Sequence, residues 1–174
     1  MKIKLGPLSL ALCLALGLLH AQDVVITPEL KEAAKAGKPE AVFEMSRAFL
    51  YGKGGMPKDA RKSYELMQQA AETGYPDAVG AMGYYLLTGT GVKKDTAKAV
   101  EWFRKGAELG SAKAQLNLAR CLLRTQNPPA LPEPTDEAEK KARQQEGIEW
   151  LEKAAEQRLI AAAANLGGYL YSGM

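Results

Sequence analysis

Few residues of this chain have the side chains that most often carry chemistry. Its 174 residues include one histidine, His20, and two cysteines, Cys13 and Cys121. His20 and Cys13 lie in an N-terminal leader segment, so the chain that remains without it has no imidazole and a single thiol. A Ser-His-Asp triad, a Cys-His pair and a histidine-ligated zinc site are therefore excluded.

Two further patterns resemble functional sites, a phosphate-binding loop and a reactive cysteine, but each has a simpler structural interpretation. The run Gly-Lys-Gly-Gly at 52–55 lacks the Gly-x-x-x-x-Gly-Lys-Ser/Thr spacing of a phosphate loop and follows no strand, so we interpret it as a turn between helices. Cys121 falls within a helical pattern, which favours a buried thiol over a redox sensor or an intermolecular link. Neither a Gly-x-Ser-x-Gly elbow nor a Ser-x-x-Lys motif follows the leader. We expect no catalytic residue, no metal site and no cofactor.

The leader, residues 1–21, has the pattern of a secretory signal peptide. Lys2 and Lys4 provide a basic start, residues 8–19 an apolar run, and Ala21 a small residue for cleavage. The apolar run is too short to span a bilayer, which takes about 20 residues. Cys13 lies inside this run, so it is not placed as a lipid-accepting cysteine. The pattern predicts cleavage, export and no stable membrane insertion.

The charge balance excludes another class of partner. Loss of Lys2 and Lys4 with the leader lowers the formal net charge from +3 to +1. The chain therefore lacks the basic footprint of a nucleic-acid binder, and we expect no nucleic-acid partner. The fractions of hydrophobic and charged residues, 47% and 25%, are ordinary for one folded domain.

An internal repeat supplies the elements that position the remaining side chains. The segment from Ala41 to Gly74 superimposes on that from Ala78 to Gly110, with an offset of 37 residues before a mid-repeat loop and 36 after it. A third copy begins at Ala114 and contains an insertion, and a fourth begins at Ala162. The predicted repeat domain covers residues 22–174, with units near 39–75, 76–111 and 112–159 and a partial unit at 160–174.

Within each unit the apolar residues recur at helical spacing, which predicts two amphipathic helices per unit and no strand. Asp59 and Asp95 fit helix N-caps, and Gly74 and Gly110 fit the left-handed residue that ends a helix. The predicted helices are residues 28–36, 39–51, 59–73, 76–88, 95–109, 112–124, 136–157 and 160–172. One helix pair cannot bury its own apolar face, so the units must stack.

Two sets of residues are predicted to pack the helices together. Small residues at one position of the first helices suit close backbone approach; they are Ser46, Gly83, Ala119 and Gly167. Trp102 and Trp150 fall on the apolar side of the second helices, and we expect both to anchor the core.

The third unit contains a proline-rich insertion at residues 125–135. Proline favours extended conformations without internal hydrogen bonds, so the insertion is predicted to project as a loop. The insertion is either extra chain without a function, which the fold tolerates, or a loop that contacts a binding partner. Asp136 followed by Glu139 fits a capping box at the start of a longer helix.

The repeat motif resembles a known family. The second unit has Met82-Gly83, Gly89, Gly91-Val92, Asp95, Lys98-Ala99, Trp102 and Ala107 to Gly110 at the spacing of the Sel-one-like repeat, a relative of the tetratricopeptide repeat. The resemblance implies an all-α, right-handed α/α superhelix that mediates protein–protein contacts, in bacteria often in the periplasm. The third unit departs from the pattern, because Arg158 stands in place of the terminal glycine.

A second face of the first helices is free of the predicted core, and in tetratricopeptide relatives this face lines a concave groove. Here it mixes aromatic and aliphatic side chains with arginines, a combination typical of binding hot spots. The candidate partner-binding residues are Phe43, Arg47, Tyr51, Tyr84, Leu116, Arg120, Arg124 and Tyr171. The alternative is that the arginines are solvated and the aromatic rings pack beneath neighbouring helices.

We therefore expect a non-enzymatic periplasmic protein that binds another protein or peptide, with an acidic or carboxylate-ended segment as the hypothesis for the groove. The resemblance leaves two alternatives. One is an immunity protein that neutralises a periplasm-delivered secretion-system toxin, and the other is a β-lactamase-like enzyme, which the single cysteine disfavours. The apolar C-terminal edge, with Tyr169, Leu170, Tyr171 and Met174, also makes a homodimer an option.

Overall fold

The computed structural model describes residues 25–123 and 131–172, and these residues form helices and connecting turns without a strand. The described helices are α1 (Pro28–Lys35), α2 (Pro39–Tyr51), α3 (Ala60–Glu72), α4 (Pro76–Thr88), α5 (Thr96–Glu108), α6 (Ala112–Leu122), α7 (Glu137–Glu156) and α8 (Ile160–Ser172). They coincide with the predicted helices to within one or two residues at each end. The leader, Arg124 and residues 125–130, and Met174 lie outside the described residues.

The helix ends are set by the residues that the sequence pattern singles out. Asp59 Oδ1 accepts a hydrogen bond from the Lys62 N–H at 2.9 Å, and Asp95 Oδ1 accepts one from the Lys98 N–H at 3.0 Å. Each carboxylate satisfies a backbone donor that has no partner within its own helix. The glycine-rich run at 52–55 has three glycines at positive φ and connects α2 to α3, which confirms that it is a turn.

The helices stack in chain order. Each helix packs against the next one, and α4 also contacts α6, the first helix of the following unit. This contact places the first helices of neighbouring units side by side, as the predicted all-α solenoid requires. None of the described helices is long and apolar enough to cross a membrane.

The core consists of three clusters, and each joins one helix pair to the first helix of the next unit. The first cluster includes Val42, Met67, Met82 and Tyr85 from α2, α3 and α4. The second includes Leu86, Phe103, Cys121 and Leu122 from α4, α5 and α6. The third includes Leu116, Leu151, Ala154 and Ala162 from α6, α7 and α8. No described unit therefore has a core of its own.

Close approach between helices depends on residues without bulk. A Cβ atom at Gly83 would lie 2.5 Å from the Phe103 ring, and one at Gly106 would lie 2.7 Å from the Gly80 backbone. Ser46 and Ala119 are fully buried, as expected. Gly167 is different, because it lies exposed on α8 and a Cβ atom there would meet nothing within 4 Å.

Both tryptophans pack against the core clusters, as expected, but neither is fully buried. Trp102 and Trp150 are partly buried at the edge of the core, while the next residues, Phe103 and Leu151, are 0% and 1% exposed. A lysine lies over each indole ring, with Nζ 5.2 Å from the ring centroid at Trp102 and 4.2 Å at Trp150. The size of the indole and its polar N–H favour this position over full burial.

The described end of the insertion packs rather than projects. Leu131 lies against the second core cluster, and a guanidinium nitrogen of Arg143 on α7 donates to the Pro132 carbonyl oxygen at 2.8 Å. Asp136 Oδ1 accepts from the Glu139 N–H at 2.8 Å, which confirms the N-terminal cap of α7. The Glu139 carboxylate reaches back one residue further than a capping box requires and accepts from the N–H of Thr135 at 2.6 Å.

Candidate functional site

A cavity of about 300 Å³, which we call the groove, opens on the first helices of three consecutive units. Its lining residues on these helices are Phe43, Arg47, Leu50 and Tyr51 of α2, Asp77, Gly80, Ala81, Tyr84 and Tyr85 of α4, and Lys113, Leu116 and Asn117 of α6. Most of them recur at intervals of three or four residues, which places them on one face of each helix. Met67 of α3 and Leu159, from the turn between α7 and α8, complete the lining.

Five of the eight candidate partner-binding residues line the groove: Phe43, Arg47, Tyr51, Tyr84 and Leu116. Arg120 lies one turn beyond Leu116 on α6 and is not part of the lining. Tyr171 is 96% exposed on α8 and also lies off the groove. Arg124 lies outside the described residues.

The groove has an apolar floor and an exposed aromatic rim. Phe43 and Leu116 are each only 8% exposed and belong to the floor, together with the buried Met67. The Phe43 ring packs edge-on against Tyr75, with centroids 5.5 Å apart. Tyr51 and Tyr84 are 55% and 48% exposed at the rim. The floor can therefore hold an apolar side chain while the tyrosines contact what lies above it.

A buried network of three hydroxyl groups supports the floor. Ser46 Oγ donates to the Ser63 carbonyl oxygen and Ser63 Oγ donates to that of Ser46, both at 2.7 Å. The Tyr85 hydroxyl contacts both serine oxygens. Because each serine proton is already used, the single phenol proton is the one left to donate, and the nearer acceptor is Ser63 Oγ. Burial raises the pKa of Tyr85 above its ordinary value.

Sequence reasoning found only one member of this network, and it assigned that member a different role. Ser46 was singled out as a small packing residue, but its hydroxyl also links α2 to α3 and α4. Neither Ser63 nor Tyr85 departs from the apolar periodicity in a way that would signal a polar network. A serine where the other units have glycine or alanine is the one signal that the sequence offers.

The arginines of the groove face differ in their partners. Arg47 donates to both carboxylate oxygens of Glu44, at 2.9 and 3.0 Å, and its guanidinium carbon lies 6.0 Å from the centre of the Phe43 ring. Arg120 is partly buried, and its Nε has no hydrogen-bond partner among the described residues. The two side chains thus occupy equivalent repeat positions with different electrostatic surroundings.

A second cavity of about 410 Å³, which we call the polar compartment, adjoins the groove. It lies between the starts of α4 and α6 and the turn from α7 to α8, and its lining includes Tyr75, Ser111, Gln157 and Arg158. Ser111 Oγ donates to Asp77 Oδ1 at 2.7 Å across the two units. Burial raises the pKa of Tyr75, and the negative charges of nearby Asp77, Glu40 and Glu44 raise it further.

Within the described residues, no group of three or more histidine, cysteine or acidic side chains could hold a metal ion. Cys121 is fully buried in the second core cluster. What the groove and the polar compartment offer is an apolar floor, exposed tyrosines and charged groups at fixed positions. Such a surface suits recognition of a side chain or a peptide segment.

Comparison with known proteins identifies the repeat. The Sel1 repeat family profile matches residues 39–75, 76–111 and 141–159. The solved Sel1 repeat protein from Oxalobacter formigenes superimposes with a TM-score of 0.64 at 29% identity, covering 80% of this chain and 52% of that one. A protective antigen of uropathogenic Escherichia coli that displays an SLR fold gives a TM-score of 0.54 at 24% identity, with 83% and 36% covered, and it supports the fold alone.

Curated relatives are longer than this chain. "Chitin synthase regulatory factor 3" of Schizosaccharomyces pombe is 37% identical over 81 residues, which is 47% of this chain and 9% of that protein. An uncharacterised protein of Neisseria meningitidis serogroup B is 27% identical over 143 residues, which is 82% of this chain and 26% of that protein. The chain thus spans about a quarter or less of either relative.

Proposed function

The chain belongs to the Sel1 repeat family, and we propose that it is a binding module that holds a peptide segment of another protein in the groove. Sel1 repeat proteins are generally non-catalytic scaffolds for protein interactions. The observation that carries the proposal is the cavity shared by α2, α4 and α6, with an apolar floor beneath two exposed tyrosines. Tyrosine is enriched at binding hot spots because it combines a large apolar surface with a hydroxyl group.

Capture of the partner, followed by titration with variants, tests this proposal. The wild-type protein is used as bait, and the binding of whatever it captures is then measured by calorimetry. Tyr84→Ala combined with Tyr51→Ala removes both exposed tyrosines of the groove rim, so we expect at least a tenfold loss of affinity, as for truncation of a hot spot. Leu109→Ala is the matched control, since Leu109 is 49% exposed and lies off the groove.

The identity of the captured protein decides the biological role. An envelope complex would indicate an adaptor, and a secretion-system toxin would indicate an immunity protein. Equal affinity of the wild type and the groove variant for the captured partner would contradict the groove assignment. Hydrolysis of nitrocefin by the purified chain would contradict the non-enzymatic role.

The location that we propose is the periplasm, reached through the leader at residues 1–21. Its support is the basic start, the apolar run and the small residue before the cleavage point. Cell fractionation followed by N-terminal sequencing should recover a periplasmic product that begins near Gln22. An intact leader on a cytosolic product would contradict this.

Dimerisation through the C-terminal edge stays a prediction. Ile160 and Leu170 on α8 are 84% and 63% exposed, and Tyr171 is more exposed still. Light scattering over a range of protein concentrations should reveal a mass that rises towards twice that of the monomer. A constant monomer mass at high concentration would contradict the prediction.

A further inference from the structure

The groove and the polar compartment are one continuous surface. Asp77, Lys113 and Leu159 line both cavities, so they stand at the junction between them. A peptide that places an apolar side chain on the groove floor therefore reaches the polar compartment without leaving the protein surface. The charged groups of the polar compartment therefore determine which residues can lie next to that apolar side chain in the peptide.

The charges of the polar compartment lie on opposite walls. Asp77 is on the α4 wall, where Glu40 and Glu44 add negative charge around Tyr75. Lys113 and Arg158 are on the wall formed by α6 and the turn from α7 to α8. An anionic ligand group is thus repelled from the first wall and attracted to the second.

The two cations of the second wall have unused donors. Neither the Lys113 ammonium group nor the Arg158 guanidinium group has a hydrogen-bond, ion-pair or ring partner within the described part of the chain. The neighbouring Gln157 amide is occupied, because Nε2 donates to the Gly110 carbonyl oxygen at 3.0 Å and to Gln115 Oε1 at 2.9 Å. The wall is therefore held in place while its charged groups stay available.

The backbone at Arg158 is a further sign that this side chain has a role. Arg158 has a φ of 61°, whereas the equivalent turns of the two preceding units have glycine, Gly74 and Gly110, at 82° and 91°. Residues with a Cβ atom are strained in this region, and glycine is not. Strained backbone positions of this kind are frequent at functional sites, so the φ of Arg158 favours a role for its side chain.

We infer that the polar compartment holds the side-chain carboxylate of an acidic residue in the bound peptide, on Lys113 and Arg158. This inference rests on the proposed function, and it specifies the ligand as a segment with a large apolar residue and a nearby acidic residue. Side chains two positions apart share one face of an extended peptide, so the test peptides use this spacing.

Three synthetic peptides test the assignment. The first is acetyl-Ser-Gly-Phe-Gly-Glu-Gly-Ser-amide, the second has Gln in place of Glu, and the third has this Gln with a free C-terminal carboxylate. Binding is followed by chemical shift changes in the amide spectrum of the labelled protein. The Glu peptide should bind about fivefold more tightly than the Gln peptide, as expected for exposed ion pairs, and the difference should shrink at high salt.

Variants of the second wall should remove this preference. Lys113→Gln and Arg158→Asn each delete one cation, and asparagine tolerates the left-handed backbone at position 158. Lys141→Gln is the matched control, because Lys141 is exposed on α7 and lines neither cavity. Lys113→Glu combined with Arg158→Asn should reverse the preference towards a peptide with Lys in place of Glu, which a loss of folding would not produce.

The outcomes separate this inference from the proposed function. Equal binding of the Glu and Gln peptides, with both weakened by Tyr84→Ala, would overturn the acidic subsite and leave the groove as a peptide site. Preference for the third peptide alone would overturn the side-chain assignment in favour of a chain terminus. Shift changes in the groove with none of the three peptides would contradict both proposals.

Discussion

At the scale of single residues, the hydroxyl group of Tyr85 joins three helices through buried hydrogen bonds. Its single proton is donated to Ser63 Oγ, it also contacts Ser46 Oγ, and the residue is 2% exposed beneath the groove. A buried hydrogen bond of this kind contributes about 0.5 to 1.5 kcal/mol to stability. The network therefore supports the groove floor.

We predict that Tyr85→Phe lowers the free energy of unfolding by about 1 kcal/mol in urea denaturation. The matched control is Tyr64→Phe, which makes the same change on a ring 6.2 Å away that is tilted against Tyr85. The Tyr64 hydroxyl has no hydrogen-bond partner among the described residues, so its removal should change stability little. Equal effects of the two substitutions would show that the network adds nothing.

The wild type and Tyr85→Phe should also differ in how their stability changes with pH. Burial raises the pKa of Tyr85, so the unfolded chain, with an ordinary value near 10.0, loses the phenol proton first. The stability from this group is present below pH 10 and is lost as pH rises above it. Wild-type protein should therefore lose more stability in that range than Tyr85→Phe does.

Arg158 carries the second residue-scale prediction. Its φ of 61° lies in the region where the two preceding units have glycine. Arg158→Gly removes a strain of about 1 to 2 kcal/mol from the left-handed backbone of the folded state. Glycine also gives the unfolded chain more conformational entropy, which offsets part of this gain in stability. The expected net gain is about 0.5 to 1 kcal/mol in urea denaturation, and a loss of stability would show that the arginine contributes contacts that outweigh the strain.

At the scale of the helices, one repeat position distinguishes the effect of packing on stability from the effect of intrinsic helix propensity. Gly83 and Gly167 are equivalent in the repeat, but only Gly83 faces a ring, that of Phe103. Gly83→Ala should cost about 1 to 3 kcal/mol, because the added methyl group overlaps atoms that cannot move freely. Gly167→Ala should instead stabilise α8 by about 0.5 to 1 kcal/mol, because alanine is the better helix former. Thermal denaturation of both variants checks this, and shifts of the same sign would contradict it.

The first turn of α7 responds to acid through Glu139. The hydrogen bonds from the Thr135 N–H and hydroxyl, and then the one from Arg143, lower its pKa to about 2. The contribution of the cap is present above the ordinary value near 4.5 and is lost as pH falls towards 2. Glu139→Gln should lower the protection of the amides in this turn at neutral pH, measured as the exchange rate relative to that of an unstructured peptide at the same pH. This protection should then be nearly independent of pH between about 4.5 and 2. Glu137→Gln, two residues away, is the control and should keep the wild-type pH dependence.

The helices were predictable from the sequence because their signals are local. Periodic apolar residues, proline near helix starts and aspartate caps act within a few residues of each helix end. The contact between Gly80 and Gly106 was not predictable, since it depends on how α4, α5 and α6 meet in space. For the same reason the sequence could place Tyr84 on the groove face but could not find the polar compartment, whose walls come from different units.

At the scale of the whole molecule, stability is shared between units. Each core cluster takes residues from a helix pair and from the next first helix, so loss of one unit exposes the core of its neighbour. The bidentate pairing of Arg104 on α5 with Glu146 on α7 joins two second helices in the same way. The free energy of unfolding therefore belongs to the stack rather than to any single unit.

Cooperative unfolding is the prediction that follows at this scale. The chain has two tryptophans, Trp102 on α5 and Trp150 on α7, so Trp102→Phe and Trp150→Phe each leave one fluorescent reporter in a different unit. In urea, the fluorescence of each variant should change at the same midpoint as its own helical circular dichroism, because neither unit keeps a core when the other unfolds. Leu118→Ala, made at a fully buried residue of α6, should lower both midpoints together by an amount that corresponds to about 2 to 5 kcal/mol. Separate midpoints for the two reporters would mean that the units fold independently, and the groove, which is built from three of them, would then lack a fixed shape.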